Sequence, residues 1–293
     1  MLVCDLDGTL LNGSGIMTAA TVAALGQAID AGMEIVFATG RRHSFAWRVL
    51  ETLGLDRDTV LISSNGAIIS TLSGDRMRRI TMPIPTALLL CQHVAAFRSA
   101  LVFTFDRTGP GALAVEDVDE LHRRIPRWVD SNVEEIESFM PLERAFDSGD
   151  EPIQAMICGT IAEMQQATAV LDSGGREAAR LGRHLSIHRT QYVSRDLSIV
   201  DLMPEGCSKG NALAWLAARR GISAAEIACI GDNMNDADML AFAGQAFLMQ
   251  NAPVELLEQA ARSGWAVIGS NEEDGAAEAI LRMLEKAQRP LTV

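Results

Sequence analysis

The chain is 293 residues long, 48% hydrophobic and 22% charged, the composition of a soluble globular protein with length for two domains and a core in each. Its formal net charge of -13 and pI near 4.8 argue against nucleic acid or an anionic membrane surface as a general partner. Five scattered cysteines without a C-x-x-C pair read as reduced thiols, no signal-peptide pattern opens the sequence, and no apolar run reaches the roughly 18 residues of a membrane span, so cytoplasm is the expected compartment.

Residues 2–4 form a short apolar run, as a strand covered on both faces does, and deliver Asp5 and Asp7 to its tip ahead of Gly8 and Thr9. Thr18 suits the N-cap of a helix over 19–31, stopped by Gly32. A second apolar strand over 33–38 carries Thr39, Gly40 and Arg41 at its tip, a helix over 44–53 follows, and a third strand over 60–63 ends at Ser64, Asn65 and Gly66. Three strand-loop-helix passages, each with polar residues at the strand's end, predict an α/β fold with a doubly wound parallel sheet. Right-handed crossovers place the tips on one edge.

From Met82 the pattern changes. Pro83 and Pro85 punctuate a boundary, a helix is expected over 86–99, and strands over 101–105 and 112–115 flank the turn at Gly109, Pro110 and Gly111. Charged, irregular sequence then runs to Glu151, followed by a strand over 153–158, a helix over 162–172 and a strand pair over 185–189 and 197–202. Strands clustered as hairpins predict an α+β domain over 83–203, inserted into a core made of 1–82 and 204–293. The α/β rhythm then resumes. Ser208 caps a helix over 209–220, a strand over 226–230 ends at Asp232 to Asp236, and strands over 246–249 and 265–268 alternate with helices to residue 287.

The strand tips together hold Asp5, Asp7, Thr39, Asn65, Asp232 and Asp236, with Lys209 at a helix start. Converging carboxylates raise one another's pKa values unless a cation relieves them, and oxygen ligands suit Mg²⁺. A lysine and a hydroxyl that remain are suited to the oxygens of a phosphoryl group. Two like charges at 4 Å repel by about 4 kcal/mol at an effective dielectric near 20, so a carboxylate attacking a phosphate dianion needs such neutralisation. On this basis Asp5 is the candidate nucleophile and Asp7 the candidate general acid and base, with Thr39 and loop N–H groups on the phosphoryl oxygens.

DLDGTLL at the start, ATGR at 38–41, SSNGA at 63–67, SKGNAL at 208–213 and GDNMNDADML at 231–240 resemble the motifs of the haloacid dehalogenase superfamily, and more narrowly its Cof-type, subclass IIB phosphatases. QNAPVELLEQAA and SNEEDGAAEAI resemble the same subfamily, with Gln250 where it often has glycine. The resemblance implies a Rossmann-like core with an inserted cap. It further implies Asp5, Asp7 (through its backbone carbonyl), Asp232 and Asp236 at the metal, and Thr39, Gly40, Lys209 and Asn235 at the phosphoryl group, with Arg41 and Asn65 facing the cap and leaving group. The expected activity is Mg²⁺-dependent hydrolysis of small phosphorylated metabolites, sugar phosphates or phosphorylated cofactors, through an aspartyl-phosphate, by a monomer or small homo-oligomer. A sugar phosphomutase and a non-catalytic phospho-ligand sensor are the alternatives.

Overall fold

The structure, a computed structural model, describes residues 1–173, 175–192 and 195–288. The chain divides into two compact units, Met1–Arg78 with Ser208–Val293, and Arg79–Cys207. These joins lie outside the expected 82/83 and 203/204 positions. Met82 is already buried in the second unit's core and its N–H donates to the Pro152 carbonyl at 2.7 Å, while Pro204 is still paired with Leu185.

The first unit is built on an eight-stranded sheet. In chain order its strands are β1 (Leu2–Cys4), β2 (Ile35–Ala38), β3 (Val60–Ser63), β4 (Ile68–Thr71), β5 (Arg76–Arg79), β12 (Ala228–Gly231), β13 (Gln245–Met249) and β14 (Ala266–Ile268), and across the sheet they run β14-β13-β12-β1-β2-β3-β4-β5. From β14 to β3 all pairings are parallel. Alternate residues of β1 go to opposite faces. Leu2 and Cys4 pack with helices α1 (Ala19–Asp30), α2 (His43–Leu50) and α11 (Gly275–Gln288), and Val3 with α8 (Lys209–Arg220), α9 (Ala237–Phe242) and α10 (Val254–Ser263). Both faces are therefore covered, which is why these strands are apolar throughout. Each fully buried aliphatic side chain contributes about 1.5–3 kcal/mol.

Strands β4 and β5 are absent from the sequence-based expectation. β4 folds back antiparallel on β3, Val60 opposite Thr71 and Ser63 opposite Ile68. β5 reads RMRR and has no apolar alternation, because it is an edge strand, where charged side chains discourage further pairing.

The second unit has a six-stranded sheet in the order β10-β11-β9-β6-β7-β8, formed by β6 (Leu101–Thr104), β7 (Leu113–Val115), β8 (Ile136–Ser138), β9 (Gln154–Gly159), β10 (Leu185–Tyr192) and β11 (Leu197–Pro204). One face packs on α3 (Ile84–His93), α6 (Ile161–Leu171) and α7 (Arg176–Leu181), and the other on α4 (Val118–Arg124) and α5 (Pro126–Asn132). The expected helix over 86–99 is two pieces, α3 and a 3-10 turn at Ala95–Ala100. The stretch expected to be irregular holds α4, α5 and β8. In α4 the Asp117 side chain accepts the Glu120 N–H, acids fill the first turn and bases the last, so the dipole is complemented even though Leu121 alone is buried there. All five cysteines are buried and none is in a disulfide. Among the described residues no helix is long and apolar enough to cross a membrane.

Candidate active site

Because β1, β2, β3, β12 and β13 run parallel, their carboxyl ends share one edge, the edge where open α/β sheets bind ligands. β1 lies between β12 and β2 in register, Cys4 opposite Ile230 and Phe37, and the Asp5 N–H donates to the Ile230 carbonyl at 3.0 Å. Asp5 and Asp232 thus leave adjacent strands side by side.

Asp5, Asp232 and Asp236 are all buried, and each offers a carboxylate oxygen within 4.8 Å of the others. Lys209, 1% exposed, enters from the first turn of α8, where Ser208 accepts the Asn211 N–H as N-cap. Its Nζ donates to Asp5 Oδ1 and Asp236 Oδ1, each at 2.6 Å. An ammonium has three donors, so one remains for a further oxygen. The second oxygen of Asp236 accepts the N–H groups of Asp232 and Asn233, both at 3.0 Å, which closes the turn after β12.

Three carboxylates against one ammonium leave two negative charges uncompensated when all are ionised. Burial, opposed by Lys209 and reinforced by Asp236 and Asp7, pushes the Asp5 carboxyl up to about 7. Burial and the neighbouring Asp5 and Asp236 also hold Asp232 well above the usual carboxylate range. Burial works against the Lys209 charge, but Asp236 and Asp5 outweigh it and keep the ammonium protonated. Buried hard oxygens with excess negative charge fit a divalent cation that prefers oxygen ligands.

The other predicted residues form two further pairs. Arg41 holds both carboxylate oxygens of Asp7, with Nε to Oδ2 at 2.7 Å, so Asp7's side chain stands in an ion pair, half-exposed, outside the acidic cluster. Thr39 Oγ1 accepts the Arg41 N–H at 3.1 Å, which leaves its own proton to donate elsewhere. Asn65, predicted to face a leaving group, is buried, and its Oδ1 accepts Asn235 Nδ2 at 3.0 Å. A Cβ at Gly40 would stand 3.2 Å from that same Oδ1, so the β2 tip is packed against the Asn65 amide. The Asn65 turn is brought in by Gly66, at φ +97, where a Cβ would stand 2.3 Å from the Ser208 carbonyl oxygen and push the β3 tip off the start of α8.

Two residues that the motif reading did not single out complete the cluster. Thr9 Oγ1 donates to Asp232 Oδ1 at 3.0 Å, and Asn251 Nδ2 lies 3.3 Å from Asp232 Oδ2. Asn251 follows the tip of β13, next to β12, so the rule that polar residues at parallel strand ends share one edge could have found it. Gly8, at φ +81, lets the first loop come this close, since a Cβ there would stand 2.3 Å from Asp232 Oδ2.

A putative phosphatase of Haemophilus influenzae is 28% identical to this chain over 279 residues, covering 94% of the chain and 93% of that protein. The chloroplastic endoribonuclease YBEY of Arabidopsis thaliana is 28% identical over 293 residues, which is 96% of this chain, and the chain spans 46% of that relative's length. Among solved structures, a HAD subclass IIB sugar phosphatase superposes with a TM-score of 0.76 at 22% identity, covering 96% of this chain and 98% of its own, and shares the fold. The model of the haloacid dehalogenase-like hydrolases matches residues 2–280, and with that span, nearly the whole chain, the protein belongs to this family of hydrolases.

Proposed function

We propose that the protein is a Mg²⁺-dependent phosphatase that hydrolyses small phosphomonoesters, sugar phosphates or phosphorylated cofactors, through an aspartyl-phosphate on Asp5. The observation that carries this reading is the sharing of Lys209 Nζ between Asp5 and Asp236 inside a trio of buried carboxylates. A structural ion pair needs one acid, and the surplus acids are explained by a cation and a phosphoryl group. The relatives described as a putative phosphatase and a sugar phosphatase support the substrate class.

In this reading Asp5, Asp232 and Asp236 would hold Mg²⁺, which supplies the positive charge that offsets repulsion between the carboxylate and the phosphoryl oxygens. Lys209 grips Asp5 Oδ1, fixing the carboxylate and leaving Oδ2 to attack phosphorus. The remaining Lys209 donor, the Thr39 hydroxyl and loop N–H groups bind the phosphoryl oxygens. The phosphorus–ester oxygen bond breaks as the new bond to Asp5 forms, and Asp7 gives its proton to the leaving alkoxide. Asp7 then takes a proton from water, which attacks phosphorus, releases inorganic phosphate and restores the Asp5 carboxylate. Arg41 keeps Asp7 oriented, and a protonated Asp7 gives up one of its two bonds to Arg41. Five buried cysteines, none in a disulfide, support a reducing compartment such as cytoplasm.

Phosphate release across a panel of small phosphate esters, with Mg²⁺ and with a chelator, tests the reading. Metal-dependent release is expected; isomerised product with little free phosphate would replace it with a mutase.

Proton linkage offers a second test. In the unfolded chain an aspartate titrates near 3.8, and in the metal-free fold Asp5 titrates at about 7. A carboxyl whose folded value is raised contributes stability that is fully present below the unfolded value and lost as pH rises through the folded one. Bound Mg²⁺ cancels that loss. The gain in melting temperature from Mg²⁺ over chelator should therefore be larger at about pH 8 than at about pH 6 by calorimetry. A gain that does not change with pH would count against the three acids as the metal site.

A further inference from the structure

The first loop is fastened to the segment after β14 by a row of side-chain bonds. Glu272 accepts the Gly13 N–H at 2.6 Å, Thr18 Oγ1 donates to Asp274 at 2.5 Å, and Asn271 Nδ2 donates to the Leu11 carbonyl at 2.9 Å. A further bond to the first loop, from Asn251 just after β13, differs in kind, because it reaches the acidic cluster. Asn251 Nδ2 donates to the Gly8 carbonyl at 2.9 Å and lies 3.3 Å from Asp232 Oδ2, while Asn251 Oδ1 accepts the Asn271 N–H at 3.0 Å. The amide is thus held from behind and presents its donor edge to a loop carbonyl and a carboxylate together.

We propose that Asn251, anchored by the Asn271 backbone, is a positioning residue that fixes the Asp232 carboxylate for cation binding. The inference rests on the reading of Asp232 as a metal ligand.

Each oxygen of Asp232 has its own donor, Thr9 at Oδ1 and Asn251 at Oδ2. Without the second contact the carboxylate can turn about its own Cβ–Cγ bond, and its oxygens no longer stay where Asp5 and Asp236 converge. Asn251 is itself exposed, so the core does not depend on it and its replacement leaves the fold standing. Partners of metal-binding groups that act in this way are typically worth 10–100-fold in metal affinity.

The test is a titration of the full chain with Mn²⁺, an oxygen-preferring stand-in for Mg²⁺, followed by electron paramagnetic resonance so that binding is read without turnover. Asn251→Ala is expected to raise the Mn²⁺ Kd about 10–100-fold, and Asn251→Ser to raise it less. Turnover at saturating metal should stay within a few-fold of the parent, so the change falls on the metal requirement. Glu272→Ala removes the acceptor of the Gly13 N–H, so it loosens the same loop without touching Asp232, and it should leave the Kd within about two-fold. Should Asn251→Ala not fold, the Asn251→Ser and Glu272→Ala pair decides. An unchanged Kd in the Asn251 variants overturns the proposal, and so does an equal rise in Glu272→Ala, which would make Asn251 one loop fastener among several. Failure of the parent protein to bind Mn²⁺ would instead remove the reading of Asp232 as a ligand, and the proposal with it.

Discussion

Asp5→Asn should abolish phosphate release, lowering kcat on the order of 10⁴-fold or more, the usual cost of removing a nucleophile that acts with its partners as a unit. The substitution is nearly isosteric, and the asparagine oxygen can still accept from Lys209 Nζ, which now lies 2.6 Å from Asp5 Oδ1. The cluster also loses one of three mutually repelling buried acids, so the metal-free fold is not expected to weaken, and a loss of activity cannot be assigned to unfolding. Only the covalent step is removed, because an amide does not displace an alkoxide from phosphorus. Two measurements check this together: steady-state phosphate release, and rapid-quench trapping of a phosphorylated chain that the parent forms and the variant does not. If the variant kept a tenth of the parent's kcat, Asp5 would not be the nucleophile, and direct attack by water would be the alternative.

How much of this site was legible in the sequence depended on what kind of signal each part left. A buried parallel strand is an unbroken apolar run, so its end is visible wherever a polar residue interrupts it, as at Asp5, Thr39 and Asp232. Edge strands and amphipathic surface helices lack that contrast. RMRR in β5 and the charged α4 read as loop, because what stabilises them is pairing with one neighbour and a thin apolar stripe. At the site itself, residue types were legible but partners were not. Nothing in the sequence joins Asp7 to Arg41 or Asn65 to Asn235, although each pair is hydrogen-bonded in the structure. Such pairings join residues 34 and 170 positions apart. Composition and spacing carry no record of them. Asn251 escaped for a related reason: its bonds run to Gly8 and Asp232, both far away in the chain, and an asparagine beside a proline-led helix looks locally like a turn.

The largest effect on stability should come from Lys209→Met. Methionine fills a similar space with a flexible apolar chain, so packing is nearly conserved and the change isolates the charge. Asp5 and Asp236 each lose a charged partner at 2.6 Å and remain buried beside Asp232. Removing one member of a buried ion pair costs about 3–5 kcal/mol, because the uncompensated charge stays behind. Relief at the helix start is smaller: a cation in the first turn of α8 opposes the dipole by roughly 0.3–1 kcal/mol, so the loss of pairing decides the sign. The same loss sets the pH dependence. Lys209 lowers the Asp5 value, so without it the folded carboxyl titrates higher than about 7, and the variant's deficit grows as pH rises toward and through that range. Adding Asp236→Asn to Lys209→Met removes one stranded charge and should return part of the stability, a coupling that a double-mutant cycle reads directly. Urea midpoints for the four proteins, with chelator present, measure it. A Lys209→Met deficit below about 1 kcal/mol would mean that Asp5 and Asp236 shed their charge or reach water without the lysine, and the buried cluster would then not need a cation to stand.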